Sequence, residues 1–244
     1  MASAYQVAAS KAKSKEGTDM GLRRSFWWTF FGKPSGPLGR AGARLMMVML
    51  PPVYRAMAAE LRLQPDDDLL DVGCGAASLL VEHASHVRYV AGLDASEIQV
   101  ALARRRLANR LAAGSARIVL GDAGRLPWDD GRFSVVTSLN TLKFVPDPEG
   151  ALREMCRVLR PSGRVVVTMG ETKQAPWGAT GQSGTADAWG QWQWSDADAQ
   201  RLMEAAGFAD VAVSVLRGGF KLVRGTKPAA VPAAEQKLSA AGQP

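Results

Sequence analysis

From Leu69 onward, short apolar runs alternate with longer amphipathic segments. Leu69–Val72 lies between an Asp-rich and a Gly-rich stretch and predicts a buried strand. Ser78–Val87 predicts a helix, Tyr89–Leu93 a strand, and Ser96 to about Leu111 an Arg-rich amphipathic helix capped by Ser96. Arg117–Leu120 and Phe133–Ser138 predict strands. Pro148–Leu159 predicts a helix ended by Pro161 and Gly163, with a strand at Arg164–Met169. Ser195–Ala206 predicts a helix that opens on Ser195-Asp196 and closes at Gly207. Val211–Leu216 and Phe220–Val223 predict two strands joined through Gly218-Gly219 as an antiparallel hairpin. Strands that alternate with helices imply an α/β fold with a doubly wound, mostly parallel sheet.

The ends of the chain break this pattern. Residues 1–19 are small, polar and Lys-dotted and predict a disordered arm. Residues 20–64 read as short helices broken by GKPSGPLGRAG, a helical lid or cap on a main domain at 65–225. Residues 226–244 are rich in Ala and Pro and predict a loose tail. Tryptophans gather at Trp27-Trp28 and, in a long insert after the Arg164 strand, at Trp177, Trp189, Trp192 and Trp194. Two readings stand for these rings: aromatic walls of an acceptor pocket, or packing of the lid onto the sheet.

With 47% hydrophobic residues in 244, the chain has enough apolar material for one complete α/β core. No apolar run approaches the roughly 20 residues of a membrane-spanning helix, and no secretory signal is legible, so a cytoplasmic protein is expected. Two cysteines and two histidines are too few to suggest a disulfide framework or a zinc site, and no metal is expected. The net charge of +7 is uneven. Arg23, Arg24, Lys33, Arg40, Arg44, Arg55 and Arg62 stand against Glu60 alone in residues 20–62, while residues 63–244 are balanced. A neutral main domain argues against a nucleic-acid partner. The basic N-terminal segment suits an anionic substrate, a lipid surface or simple solubility. Arg23-Arg24 beside Phe26–Phe31 also resembles an interfacial membrane anchor.

The chemistry concentrates where strands end. Leu69–Val72 runs into DVGCGAAS, Asp71 to Ser78, and then into a helix. Gly73 and Gly75 permit a tight turn and a close approach of ligand to backbone, and the following helix presents unpaired N–H groups. Asp94 ends the second strand about 20 residues further on, where a doubly wound nucleotide site keeps the carboxylate for the ribose. Asp122-Ala123 closes the third strand, and Ser138-Leu139-Asn140 the fourth. Each Asp alone has a second reading as a turn or helix cap. The third glycine of a dinucleotide loop is replaced by Ser78, and there is no P-loop.

These stretches resemble the class I S-adenosylmethionine-dependent methyltransferases, and among them the small-molecule and lipid/quinone enzymes of ubiquinone and menaquinone biosynthesis. The resemblance rests on LLDVGCGAAS (69–78), GLDAS (92–96), GDAGRLPWDDGRFSVVTSLNTLKFVPDP (121–148) and ALREMCRVLRPSGRVVVT (151–168). It implies S-adenosylmethionine as cofactor and a seven-stranded sheet. It also implies a cofactor-binding set: Asp71, Gly73 and Gly75 at the methionine end, Asp94 at the ribose, Asp122 and Ala123 at the adenine, Leu139 beside the sulfonium, with Cys74 and Ala95 in the same set. The chain departs from the family at Ala77, where a third glycine is frequent, and at Lys143 and Phe144, where many relatives carry two histidines.

Methyl transfer is an in-line displacement in which alignment does most of the work. A base is needed only if the acceptor loses a proton. Tyr54, Lys143, Glu171 and Asp147 are candidates, and Trp28, Tyr54, Asn140, Phe144 and Trp177 are expected in the pocket for a hydrophobic small-molecule acceptor. His83 and His86 read as ordinary helix residues. The alternative is a cofactor-binding protein of this fold with a non-methylating catalytic or regulatory role. Oligomeric state is not legible.

Overall fold

The computed structural model describes residues 36–49, 51–171, 185–186, 192–216 and 219–230. The arm, Trp28, Trp177, the Arg23–Phe31 segment and the end of the tail lie outside the described residues.

Seven strands form one sheet: β1 (Asp68–Val72), β2 (Tyr89–Asp94), β3 (Ala116–Leu120), β4 (Phe133–Ser138), β5 (Leu159–Glu171), β8 (Ala209–Val215) and β9 (Phe220–Thr226). Their order is β3-β2-β1-β4-β5-β9-β8. The pairs from β3 to β5 are parallel, and β9 runs antiparallel to both of its neighbours. A two-stranded ribbon pairs β6 (Thr185–Ala186) with β7 (Trp192–Gln193). The hairpin expected near the C-terminus is β8–β9; β8 starts two residues earlier than expected and ends one earlier, and β9 runs on to Thr226.

The central strands are covered on both faces, which is why they are apolar without strict alternation. Leu70, Phe133, Val136, Leu152 and Met155 belong to one apolar cluster. Leu69, Leu80, Val90 and Val135 belong to the other, together with Met57 and Leu61 from the N-terminal region. Successive residues of one strand thus feed opposite cores.

The helices are α1 (Gly36–Met49), α2 (Pro51–Ala59), α3 (Ser78–His83), α4 (Glu97–Arg106), α5 (Ala108–Ala112), α6 (Pro148–Val158) and α7 (Asp196–Ala205). Caps legible in the sequence are formed: Ser96 accepts from Gln99 N–H, and Ser195 accepts from Asp198 N–H. Several boundaries differ from expectation. GPLGRAG does not break a helix; it opens α1. Gly39 and Gly42 are buried on one face of α1, where small residues allow close helix packing. The helix expected over Ser78–Val87 tightens into a 3-10 turn at Ala84–His86. The long helix expected from Ser96 is interrupted at Leu107, which buries its side chain and leaves helical geometry at φ −103°, ψ 17°. Beyond that break Arg110 reaches the carbonyls of Val87 and Arg88.

Pro161 and Gly163 do not end α6, which stops at Val158. They sit inside β5, at an irregularity between the pairs Phe133–Leu159 and Val135–Arg164. Proline is tolerated there because a bulge needs no ladder donor. The bulge is tied to the end of β9: Ser162 N–H donates to Lys227 O at 2.9 Å, and Lys227 N–H donates to Gly163 O at 2.9 Å.

The amino-terminal edge of the sheet is held by charge pairs. Asp67 meets Arg164, and Asp68 meets Arg88 and Arg132. The loops after β1, β2, β3 and β4 therefore share the opposite, carboxyl edge.

Candidate functional site

The glycine loop is shaped mainly by its neighbours. Gly73 N–H and Cys74 N–H both donate to Leu93 O, at 2.7 and 3.0 Å. Gly75 N–H donates to Asp94 Oδ2 at 2.8 Å, and Ser96 N–H donates to Asp94 Oδ1 at 2.8 Å. One carboxylate thus joins the loop to the end of β2. From outside, Arg106 donates to Ala76 O at 2.7 Å and to Ser78 Oγ at 2.9 Å. Ala77 enters α3 in the left-handed region at φ 58°, fully buried. That conformation costs an alanine about 1 kcal/mol, which glycine would avoid.

The two glycines differ in purpose. A Cβ on Gly73 would lie 2.2 Å from Thr141 Cγ2, so Gly73 is bare because Thr141 packs against it. Gly73 also lines the cleft, so the contact with Thr141 adds a packing reason to the expected one. Around Gly75 the nearest atoms to such a Cβ are the terminal amide of Gln99, at 3.9 Å.

Tyr54, Asp71, Gly73, Cys74, Leu79 and Leu139 line one cleft. The N-terminal region contributes Tyr54 from α2. Leu79 and Thr141 were missed by sequence reasoning: neither carries reactive chemistry, and only their placement matters. Burial, and then the neighbouring Asp94, push the Asp71 carboxyl up to about 8. Its Oδ1 is buried without a hydrogen-bond partner. Burial, then Asp71 and Asp94, push the Tyr54 phenol up. Tyr54 therefore stays protonated at neutral pH. The Cys74 thiol is raised by the same causes and stays neutral.

Gln99 was also missed. It is 5% exposed, and its Oε1 has no partner. The available signal was its place three residues after the Ser96 cap, on the inner side of α4.

The other expected residues are spread along the same edge. Ala95 is exposed, Ala123 is buried, and Asp122 is exposed with Oδ1 accepting from Gly124 N–H at 2.9 Å. Asn140 is left-handed at φ 58°, and its N–H donates to Thr168 Oγ1 at 2.5 Å. Lys143 and Phe144 lie on a 3-10 turn, where the buried Lys143 ammonium sits 5.4 Å from the Phe144 ring centroid. Asp147 is the N-cap of α6 and accepts from Gly150 N–H at 3.0 Å. One oxygen of the carboxylate thus starts a helix. Glu171 ends β5, but its side chain lies outside the described residues.

Residues 70–167 match the family described as a methyltransferase domain. A demethylmenaquinone methyltransferase of Mycolicibacterium gilvum is 37% identical over 199 residues, covering 71% of this chain and 82% of that protein. The chain belongs to the S-adenosylmethionine-dependent methyltransferases. Solved structures agree on the fold. A phosphoethanolamine N-methyltransferase of Haemonchus contortus superposes with a TM-score of 0.67 at 14% identity, over 84% of this chain and 60% of that one. A [4+2]-cyclase superposes with a TM-score of 0.60 at 19% identity, over 93% of this chain and 96% of that one.

S-adenosylmethionine is the cofactor of this methyltransferase. Its residues fit that group. Asp71 lines the cleft with Asp94 near enough to raise its carboxyl, and a cationic ligand there would favour the ionised form of Asp71. Asp71 Oδ1 and Gln99 Oε1 are buried acceptors that lack a donor within the protein. Among the described residues no helix is long and apolar enough to cross a membrane.

Proposed function

We propose that this methyltransferase methylates a hydrophobic, quinone-like small molecule. The observation that carries this reading is the 37% identity to a demethylmenaquinone methyltransferase across 82% of that protein. The cleft supports it: Leu79, Leu139 and Cys74 offer apolar walls beside Asp71.

In this reading Asp71 and the backbone of Gly75 hold the methionine end of the cofactor. Asp94 accepts from the ribose hydroxyls, and Asp122 with Ala123 flanks the adenine. When bound, the cofactor supplies an electrophilic methyl on a positively charged sulfur. The chain contributes alignment and a dry cleft, and alignment alone is worth about 7–11 kcal/mol when reacting atoms are held near contact. Leu139 shields the sulfonium from water. Tyr54, with its phenol protonated, donates a hydrogen bond and closes the cleft from the α2 side. Asn140 and Phe144 border the acceptor. In this reading Asp71, the most basic described carboxylate of the cleft, is engaged by the cofactor, so an acceptor that ionises readily on its own, such as a quinol, suits it.

The test is incubation of the full chain with S-adenosylmethionine and a panel of demethylated quinols, phenols, amines and lipids. Mass spectrometry of methylated product and adenosylhomocysteine is the readout. Methylation of quinols is expected. Turnover only of hydrophilic amines overturns the acceptor class, and cofactor binding without turnover of any acceptor favours the non-methylating alternative. A hydrophobic acceptor also gives the basic-aromatic segment Arg23–Phe31 a use, as a peripheral contact with lipid. Liposome flotation of the full chain against a chain starting at Leu38 tests that part, and equal behaviour removes it.

A further inference from the structure

We infer that Thr168 is a positioning residue for methyl transfer, whose hydroxyl oxygen fixes the turn at Asn140 on the acceptor side of the cleft. The inference rests on the reading above, in which Asn140 and Phe144 border the acceptor. Three hydroxyls hold the chain as it leaves β4. Ser138 Oγ donates to Val72 O at 2.8 Å, and Thr141 Oγ1 lies 3.2 Å from both Gly73 O and Leu139 O. These bind the turn to the end of β1 and the glycine loop. From the other flank, Asn140 N–H donates to Thr168 Oγ1 at 2.5 Å. β1 and β5 are the two neighbours of β4, so the turn is suspended between them. Thr168 sits at the last regular pair of β5 with β9, opposite Leu222, before the ladder shifts.

The strand itself does not ask for a hydroxyl at this position. Val165, Val166, Val167 and Met169 are all buried and apolar, and Thr168 is as buried as they are, at 4% exposed. Valine has the same shape and suits a strand as well. What valine lacks is an acceptor for Asn140 N–H. Asn140 is left-handed at φ 58°, a conformation that asparagine tolerates but does not prefer. The path of the chain at Asn140 sets the direction of both its neighbours. On one side is Leu139, which lines the cleft. On the other is the 3-10 turn Leu142–Phe144. Without the Thr168 acceptor, Asn140 N–H has to find another partner, and the acceptor border turns with it. The bonds from Ser138 and Thr141 to the cofactor side stay in place. Loss of the hydroxyl therefore strikes the alignment of acceptor against cofactor, not the binding of cofactor.

Thr168→Val and Thr168→Ser in the full chain test this, with a demethylated quinol as acceptor, or with whichever phenol, amine or lipid of the panel is turned over instead. Calorimetry with adenosylhomocysteine gives cofactor affinity alongside kcat and KM. Thr168→Val is expected to lower kcat by about tenfold or more, while the Kd for adenosylhomocysteine stays within about twofold of wild type. Thr168→Ser keeps the oxygen and is expected to recover kcat to within about threefold of wild type. A Thr168→Val chain with wild-type kcat and KM overturns the inference and leaves the proposed function intact. So does a parallel loss of kcat and adenosylhomocysteine affinity that Thr168→Ser does not rescue, which marks a structural role. If Thr168→Val does not fold, Thr168→Cys, whose sulfur is a weak acceptor, is read in the same way, and failure of both to fold also marks a structural role. A wild type that turns over no acceptor overturns the proposed function together with this inference.

Discussion

Thr141 stands where a side chain on Gly73 would have to go, with Cγ2 2.2 Å and Oγ1 2.3 Å from the position of that Cβ. Thr141 also donates from Oγ1 to Gly73 O at 3.2 Å. The loop after β1 and the loop after β4 are therefore one packed unit. Gly73→Ala is expected to destabilise the protein by about 2–3 kcal/mol, from overpacking and from the left-handed backbone at φ 78°. Thr141→Gly should restore part of that loss, with a coupling of about 1 kcal/mol or more in a double-mutant cycle. Urea unfolding measures it; strictly additive losses would show that the contact is absent.

Asp71 makes the cofactor-free protein sensitive to pH. Burial and Asp94 raise its carboxyl from 3.8 to about 8 in the folded state. Between these values the folded state holds a proton that the unfolded chain has lost, so this contribution to stability falls as pH rises from about 4 to about 8. The slope it adds is at most about 1.4 kcal/mol per pH unit. Asp71→Asn should flatten the fall, as read by urea unfolding at pH 5 and pH 8. Binding the cationic cofactor beside Asp71 favours its ionised form, so binding at pH 7 should release a proton. Calorimetry in buffers of different ionisation enthalpy detects that release, and buffer-independent heats would contradict it.

Ala77 offers the opposite kind of change. Its left-handed conformation at φ 58° suits glycine better than alanine. Ala77→Gly is expected to raise stability by about 0.5–1 kcal/mol, less whatever the buried methyl contributes. A rise in the urea midpoint with an unchanged slope checks this.

Asp94 ties Gly75 and Ser96 together by two backbone N–H groups. Asp94→Ala removes that tie together with the carboxylate offered to the ribose. Adenosylhomocysteine affinity is expected to fall by at least about tenfold, since charge-assisted hydrogen bonds contribute about 1.5–3 kcal/mol each. Equal affinities by calorimetry would remove Asp94 from the site.

Much of the architecture was legible because it follows from local rules. The apolar runs at Leu69–Val72 and Phe133–Ser138 read as strands, since few other elements bury so short a segment. Ser96 and Ser195 read as caps because a hydroxyl before a helix has one useful partner. Asp94 was legible from its distance along the chain after the glycine loop. Errors arose where a residue has two local uses. Pro161 and Gly163 end helices in general, but here they form a bulge tied to Lys227. Asp147 had two readings, base and cap, and its contact with Gly150 shows the cap.

The sequence by itself determined the order of strands and helices and the family of the chain. Both are carried by periodicity and by short motifs whose partners lie a few residues away. Tertiary structure decided what each site residue faces. Tyr54 of α2 lines one cleft with Asp71, Thr141 fills the space at Gly73, and the amide of Gln99 lies beside Gly75. Such pairings join residues far apart in the chain. They also set the burial that holds Asp71 near 8, and burial depends on all that packs around a group, which no local pattern records.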